Sequence, residues 1–190
     1  MRLLSKIDWS AQLKMGLVGA VFGAVALAVV EAGLTVPIPG TDVVSDPREV
    51  FTTTGAAWTG PVGGLVIGFL AGFREQSIPL ASLLAHISGA LWMGVAYATL
   101  VHRRLELPAA AAGWAALVLV YYFVFAVPGF VIGQRLFYAS TFADSYGEGT
   151  SLLSAYGTLA DGALPEALLT TAVTTLIYVA LPRRNRRPLW

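Results

Sequence analysis

Four apolar runs dominate this chain, and each is about as long as a membrane-spanning helix. A hydrocarbon core of ~30 Å is crossed by about 20 apolar residues in helical form. The runs predict an all-α fold, a polytopic bundle of membrane helices built as a single domain, 1–190. They cover residues 15–36, 80–101, 109–133 and 164–181.

The composition agrees with burial in lipid. Hydrophobic residues make up 56% of the chain and charged residues only 12%, about half the charged fraction of a typical soluble domain. The net charge of +1 and the lack of a basic patch with interleaved aromatics give no indication of nucleic-acid binding. The chain has no cysteine, which excludes disulfides, thiolate metal ligands and thiol catalysis.

A fifth apolar region is interrupted by the pair Gly60-Pro61. Pro61 lacks a backbone N–H and disfavours helical geometry at the residue before it. We therefore predict two short helices, 48–59 and 61–73, which bring the total to six transmembrane helices. A re-entrant hairpin is the alternative. Small residues let helices pack closely in a membrane, and those that we assign to the corner are Gly60, Pro61, Gly64 and Gly68.

The distribution of basic residues favours six crossings. Lys and Arg accumulate in cytoplasmic loops, and six crossings place nine of the twelve basic residues on one side. These nine lie in the N-terminal segment 1–14, the Arg103-Arg104 loop and the tail 182–190. We expect a multi-pass protein of a prokaryotic cytoplasmic membrane, with both termini in the cytoplasm and segment 1–14 forming a surface helix.

Polar residues within the spans are candidates for a ligand site, because ionisable groups are costly in a membrane. Glu31 lies in the first span, although near enough to the outer interface to reach water instead. His86 lies in the outer half of the fourth helix and could equally be satisfied internally. The last helix carries Glu166, Thr170 and Thr174 on one face, and threonines can also bond to carbonyls of their own helix.

A long segment, 134–163, is predicted to form an outer loop. Loops of this length are usually functional or disordered. Its aromatic residues, among them Tyr138 and Phe142, argue against disorder and for a lid over a ligand. Amphipathic turns at the membrane interface are the alternative.

Catalytic motifs are not found in the sequence. It contains no G-x-S-x-G, H-E-x-x-H or Walker pattern, and no carboxylates stand at metal-ligand spacing from its two histidines. We predict that the chain is not an enzyme and holds neither a metal nor another cofactor.

The first span also carries small residues at every fourth position. Such a row lets another helix approach closely, and that helix could belong to this bundle or to a partner protein. The row consists of Gly16, Ala20, Ala24 and Ala28.

Together these features resemble the substrate-binding S component of energy-coupling factor (ECF) vitamin transporters. The resemblance includes the Pro-containing outer loop VPIPGTD, the short helix ending at Gly60-Pro61 and the last helix opening at Leu164-Pro165. It implies capture of a vitamin-like small molecule, followed by docking through Ala20 and Ala24 onto a membrane coupling protein driven by cytoplasmic ATPases. The binding residues that it implies by position are His86, Tyr122, Tyr138, Glu166, Thr170 and Thr174.

The stretch DPREVFTTTGAAWTGPVGGLVIGFLAGFRE also resembles the multi-spanning sensory domain of LytS-type sensor kinases. In departure from those kinases, we expect no signalling domain after Trp190. The alternative function is therefore a sensory or accessory subunit of a larger membrane complex. The residues that fit the sensory pattern are Asp46, Arg48, Gly60, Pro61 and Arg74.

Overall fold

The chain folds into a helix bundle with one short β-hairpin. The computed structural model describes residues 8–38, 40–42, 44–74, 77–97, 99 and 106–182. Of the helices found there, all but α5 are long and apolar enough to cross a membrane, which confirms the all-α membrane bundle. The helices are α1 Trp9–Glu31, α2 Arg48–Gly72, α3 Pro79–Ala96, α4 Leu107–Phe137, α5 Ala139–Tyr146 and α6 Leu152–Ala180, and the antiparallel strands are β1 Val36–Pro37 and β2 Val44–Ser45.

Helix α2 is folded back on itself at the predicted corner. Gly60 has φ 70° and ψ −168°, which breaks the helix into the arms 48–59 and 61–72. The Arg48 Nη1 donates to the carbonyl of Ala71 at 3.0 Å. In a straight helix, Arg48 and Ala71 would be separated by about 35 Å. The two arms are therefore antiparallel, and the prediction of a Gly-Pro corner is confirmed.

Glycines on the second arm press directly against α3. A Cβ added at Gly64 would lie 2.7 Å from the Ala90 carbonyl oxygen, and one at Gly68 would lie 2.6 Å from the His86 oxygen. Gly94 of α3 meets the corner at Gly60 in the same way, with 2.5 Å to its carbonyl carbon. Because each neighbouring atom belongs to the backbone, these glycines set the distance between the two helices.

Helix α1 packs against the other face of the second arm. A Cβ added at Gly19 would lie 2.7 Å from the Gly63 Cα, and one at Gly23 would contact Leu70. The small residues of α1 that pack inside the bundle, Gly19 and Gly23, therefore lie one position before Ala20 and Ala24 of the predicted docking row. In that predicted row Gly16 and Ala20 are half-buried, whereas Ala24 and Ala28 are exposed.

The helices alternate in direction. Contacts pair the start of α3 with the end of the second arm, Gly133 of α4 with Ala81 of α3, and Trp114 of α4 with Tyr178 of α6. As a result, α1 begins and α6 ends at the same end of the bundle. We call the opposite end, which holds Glu31, Arg48 and Arg74, the outer end.

Aromatic rings fill the inner half of the bundle between α3, α4 and α6. Trp114 stacks on Tyr178 with ring centroids 5.1 Å apart, and Tyr97 meets Trp114 edge-on at 5.3 Å. All three side chains are buried. The interior is therefore apolar and closely packed toward the inner end.

The prediction of a long outer loop over 134–163 was wrong. Helix α4 runs to Phe137, α5 follows, and α6 begins at Leu152, where the Ser151 Oγ accepts from the Ser154 N–H at 3.1 Å. Phe142 of α5 is fully buried in a cluster with Val131 and Ala155, and this packing stabilises helices that local composition does not favour.

Both predicted terminal segments lie partly outside the described residues. Helix α1 begins at Trp9, where the Asp8 carboxylate accepts from the Ala11 N–H at 3.1 Å, and it continues unbroken into the span. A surface helix separate from the first span is therefore not formed from Trp9 onward. Residues 1–7, Arg103 and Arg104 lie outside the described residues, as does the tail from 183 on.

Candidate functional site

The structure separates the predicted binding residues into two groups. Glu31 lies at the exposed end of α1, where its Oε1 accepts from the Arg74 Nε at 2.6 Å. The Tyr138 hydroxyl accepts from the Leu80 N–H at 3.2 Å and so caps the start of α3. Both residues lie at the rim of the outer end. His86, Tyr122, Glu166 and Thr170 lie in one partly buried region of the outer half, and Thr174 lies one helical turn further inward on α6.

A buried carboxylate that the sequence analysis missed stands at the centre of this region. Glu49, in the first turn of α2, has a side chain only 9% exposed. Its Oε1 lies 2.8 Å from the His86 Nε2, and its Oε2 accepts a hydrogen bond from the Tyr121 hydroxyl. Glu49 thus links α2 to α3 and α4. Its position at the start of the predicted helix 48–59, next to a polar segment, gave no indication of burial.

The tautomer of His86 follows from its other neighbour. Its Nδ1 lies 2.7 Å from the Ser82 carbonyl oxygen, which only accepts, so Nδ1 carries a proton. If Glu49 is ionised, Nε2 is protonated too and the ring is an imidazolium. If the ring is neutral, Glu49 carries the proton and donates it to Nε2. The Glu49–His86 pair is net neutral in either arrangement.

A second ion pair lies beside this one at the start of α2. The Arg48 Nε is 2.6 Å from the Asp46 Oδ2 and 3.9 Å from the Glu49 Oε1. Burial raises the pKa of the Asp46 carboxyl above its usual value, and the neighbouring guanidinium opposes that shift. Arg48 also donates to Ala71, so it holds the two arms of α2 together while neutralising Asp46.

Helix α6 joins the region through two contacts. The Tyr122 hydroxyl and the Thr170 Oγ1 share a hydrogen bond of 3.0 Å, and both residues are buried. The Glu166 Oε1 accepts from the Asp46 N–H at 3.1 Å. Thr174 bonds instead to the carbonyl of Thr170 at 2.7 Å, which is the self-satisfied arrangement considered for these threonines.

A π-helical turn in α4 positions the two tyrosines. Residues Tyr121–Ala126 form this turn, a rare element that occurs often at functional sites. Adjacent Tyr121 and Tyr122 are both buried, with their rings edge-on at 5.3 Å. One hydroxyl reaches Glu49 and the other reaches α6. The carbonyls of Phe123 and Phe125 accept from Tyr156 and Ser88, so neighbouring helices supply donors to the widened turn.

We call the connected set of buried or half-buried polar residues the outer cluster. Four helices and the segment before α2 contribute to it, and every member touches another. Within the described residues, no group of three His, Asp or Glu side chains could hold a metal ion. The members of the outer cluster are Asp46, Arg48, Glu49, His86, Tyr121, Tyr122, Glu166 and Thr170.

Comparison with known proteins adds no assignment. No protein-family model matches the chain, and neither does any curated protein or solved structure. The class of protein is therefore defined by the fold and the outer cluster alone. The chain is a multi-pass α-helical membrane protein with a network of ionisable and hydroxyl groups buried in the outer half of its bundle.

Proposed function

We propose that this chain is the substrate-binding membrane subunit of an uptake system, which captures a vitamin-like small molecule from outside the cell. The single observation that carries the proposal is the outer cluster. Ionisable groups inside a membrane bundle are costly and by default mark a ligand or ion pathway. A few convergent polar groups among aromatic side chains are also typical of small-molecule sites.

The position of the outer cluster in the bundle supports this direction of capture. The outer cluster lies near the ends of α2 that Arg48 and Arg74 mark, whereas the rings of Tyr97, Trp114 and Tyr178 fill the inner half. Lys14 lies near the inner start of α1, as expected for a cytoplasmic face. A molecule that binds the cluster would arrive from outside and would need a rearrangement of the bundle to leave inward.

Energy for such a rearrangement would come from separate subunits. Under this proposal α1 docks onto a membrane coupling protein, which is driven by cytoplasmic ATPases. The exposed small residues Ala24 and Ala28, next to half-buried Ala20, support docking because the chain's own helices leave this part of α1 uncovered.

The capture site is tested by removing one hydroxyl. Thr170→Val removes the hydroxyl that pairs with Tyr122, and we expect a loss of small-molecule affinity of roughly 5- to 150-fold, since one unpaired buried polar group costs about 1–3 kcal/mol. Thr171→Val is the matched control, because the Thr171 hydroxyl bonds to the Ala167 carbonyl of its own helix at 2.6 Å. Equal retention of bound molecules by both variants in native mass spectrometry would contradict the assignment of Thr170.

The docking surface is tested with bulky side chains. Ala20→Trp and Ala24→Trp should prevent co-purification of coupling subunits, because an indole keeps a second helix from close approach. Small-molecule binding should be retained, since neither residue lies in the outer cluster. Leu176→Trp is the control, as Leu176 is 70% exposed on α6, away from α1. Loss of small-molecule binding with docking intact would contradict the assignment.

A further inference from the structure

The charges of the outer cluster do not balance. Asp46 is paired with Arg48 at 2.6 Å, and the Glu49–His86 pair is net neutral wherever its shared proton lies. Glu166 is left over. Among the described residues, no Lys, Arg or His nitrogen lies within 4.0 Å of its carboxylate. With Glu166 ionised, the cluster therefore carries one uncompensated negative charge.

The position of Glu166 makes this charge available to a ligand. Both oxygens of Glu49 are occupied by His86 and Tyr121. Glu166 instead is half-buried, and only its Oε1 has a hydrogen-bond donor within the described residues, the Asp46 N–H. This carboxylate has Arg48 only at longer range than an ion pair and is not fully hydrated, so a positively charged ligand group would gain more from it than from a carboxylate in water.

A hydrogen-bond donor lies one helical turn away. Thr170 follows Glu166 by four residues, so the two side chains lie on the same face of α6. Tyr122 and Thr170 share one bond of 3.0 Å, which uses one of their two hydroxyl hydrogens. The other hydrogen has no acceptor among the described residues and can be donated to a ligand.

We propose that the outer cluster recognises an organic monocation, such as a molecule with an ammonium group. Glu166 is the counter-charge, and the Tyr122–Thr170 pair donates to an acceptor atom elsewhere on the same molecule. This inference rests on the proposed function and adds the chemical class of the substrate.

The test separates candidate ligands by charge. The small molecules of a rich growth medium are divided by ion exchange into cationic, neutral and anionic fractions, and each is added to the ligand-stripped protein in lipid nanodiscs. We expect only the cationic fraction to raise the melting temperature, by roughly 3–6 °C at ten times the Kd. Glu166→Gln should abolish this shift. Asp161→Asn, which removes an exposed carboxylate from the same helix, should retain it.

Each other outcome overturns a different statement. Stabilisation of the unaltered protein by the neutral or the anionic fraction alone would overturn the monocation and leave solute capture standing. Stabilisation by no fraction would overturn solute capture as well. An undiminished shift for Glu166→Gln would show that the cation binds elsewhere. The comparison of the three fractions uses the unaltered chain. It therefore tests the charge of the ligand even if Glu166→Gln folds poorly.

Discussion

Gly68→Ala is expected to weaken the packing of α2 on α3 strongly, although it adds only one methyl group. The new Cβ would lie 2.6 Å from the His86 carbonyl oxygen and 2.7 Å from the Ile87 Cα. Both atoms belong to the backbone of α3, so the helix itself would have to move away. We expect a loss of about 3 kcal/mol or more, at the upper end of overpacking effects, and a melting temperature in detergent lower by roughly 10 °C. Gly64→Leu should behave in the same way.

A glycine elsewhere in the chain provides the control. Gly157 lies within α6, and a Cβ added there would meet nothing within 4 Å. Gly157→Ala should leave the melting temperature unchanged or raise it slightly, because alanine favours a helix over glycine by up to about 1 kcal/mol. Equal melting temperatures for the two alanine variants would contradict the close packing of α2 on α3.

Glu49→Leu is expected to produce the second large effect. Leucine fills similar space but leaves the His86 Nε2 and the Tyr121 hydroxyl without their partner, and both side chains are buried. Removing one member of a buried, hydrogen-bonded charge pair costs about 3–5 kcal/mol. We expect unfolding at markedly lower denaturant concentration. Glu49→Gln should lose less, since its amide can still accept a hydrogen bond.

A different carboxylate separates this effect from a general response to lost charge. Glu31 pairs with Arg74, but their side chains are 47% and 56% exposed, and pairs in contact with solvent contribute little. Glu31→Gln should leave the unfolding midpoint nearly unchanged. Equal destabilisation by Glu31→Gln and Glu49→Leu would show that the burial of Glu49 does not determine its contribution.

The corner in α2 was predictable because local chemistry determines it. Pro61 cannot donate to a helical hydrogen bond, and Gly60 can adopt the positive φ of 70° that the turn requires. Glycines four residues apart indicated a close helix contact before its partner was known. The sequence did not identify α3 as that partner, since this depends on how the whole bundle assembles.

The outer cluster was predictable only in part. His86, Glu166 and Thr170 were chosen because polar residues stand out within apolar runs, whereas Tyr122 was implied only by its position in the family resemblance. Glu49 was missed because it directly follows a polar segment, and its burial results from contacts with α3 and α4. Tyr121 was missed because only the π-helical turn orients two adjacent tyrosines toward different partners.

The helical outer segment was missed for a related reason. Residues 147–163 contain Gly, Ser, Thr and Asp, which are poor helix formers. The helix is favoured instead by the Ser151 cap and by the packing of Ala155 with Phe142. Such tertiary contacts override local propensity and cannot be read from one sequence.

Native mass spectrometry of the protein, gently purified from its own membranes, tests solute capture most directly. We predict a retained small molecule, together with co-purified coupling protein and ATPases, and loss of that molecule from Thr170→Val but not from Thr171→Val. A chain that carries no small molecule and is attached to a different membrane complex would contradict solute capture. That result would favour a sensory or accessory subunit, in which the outer cluster only holds the helices together.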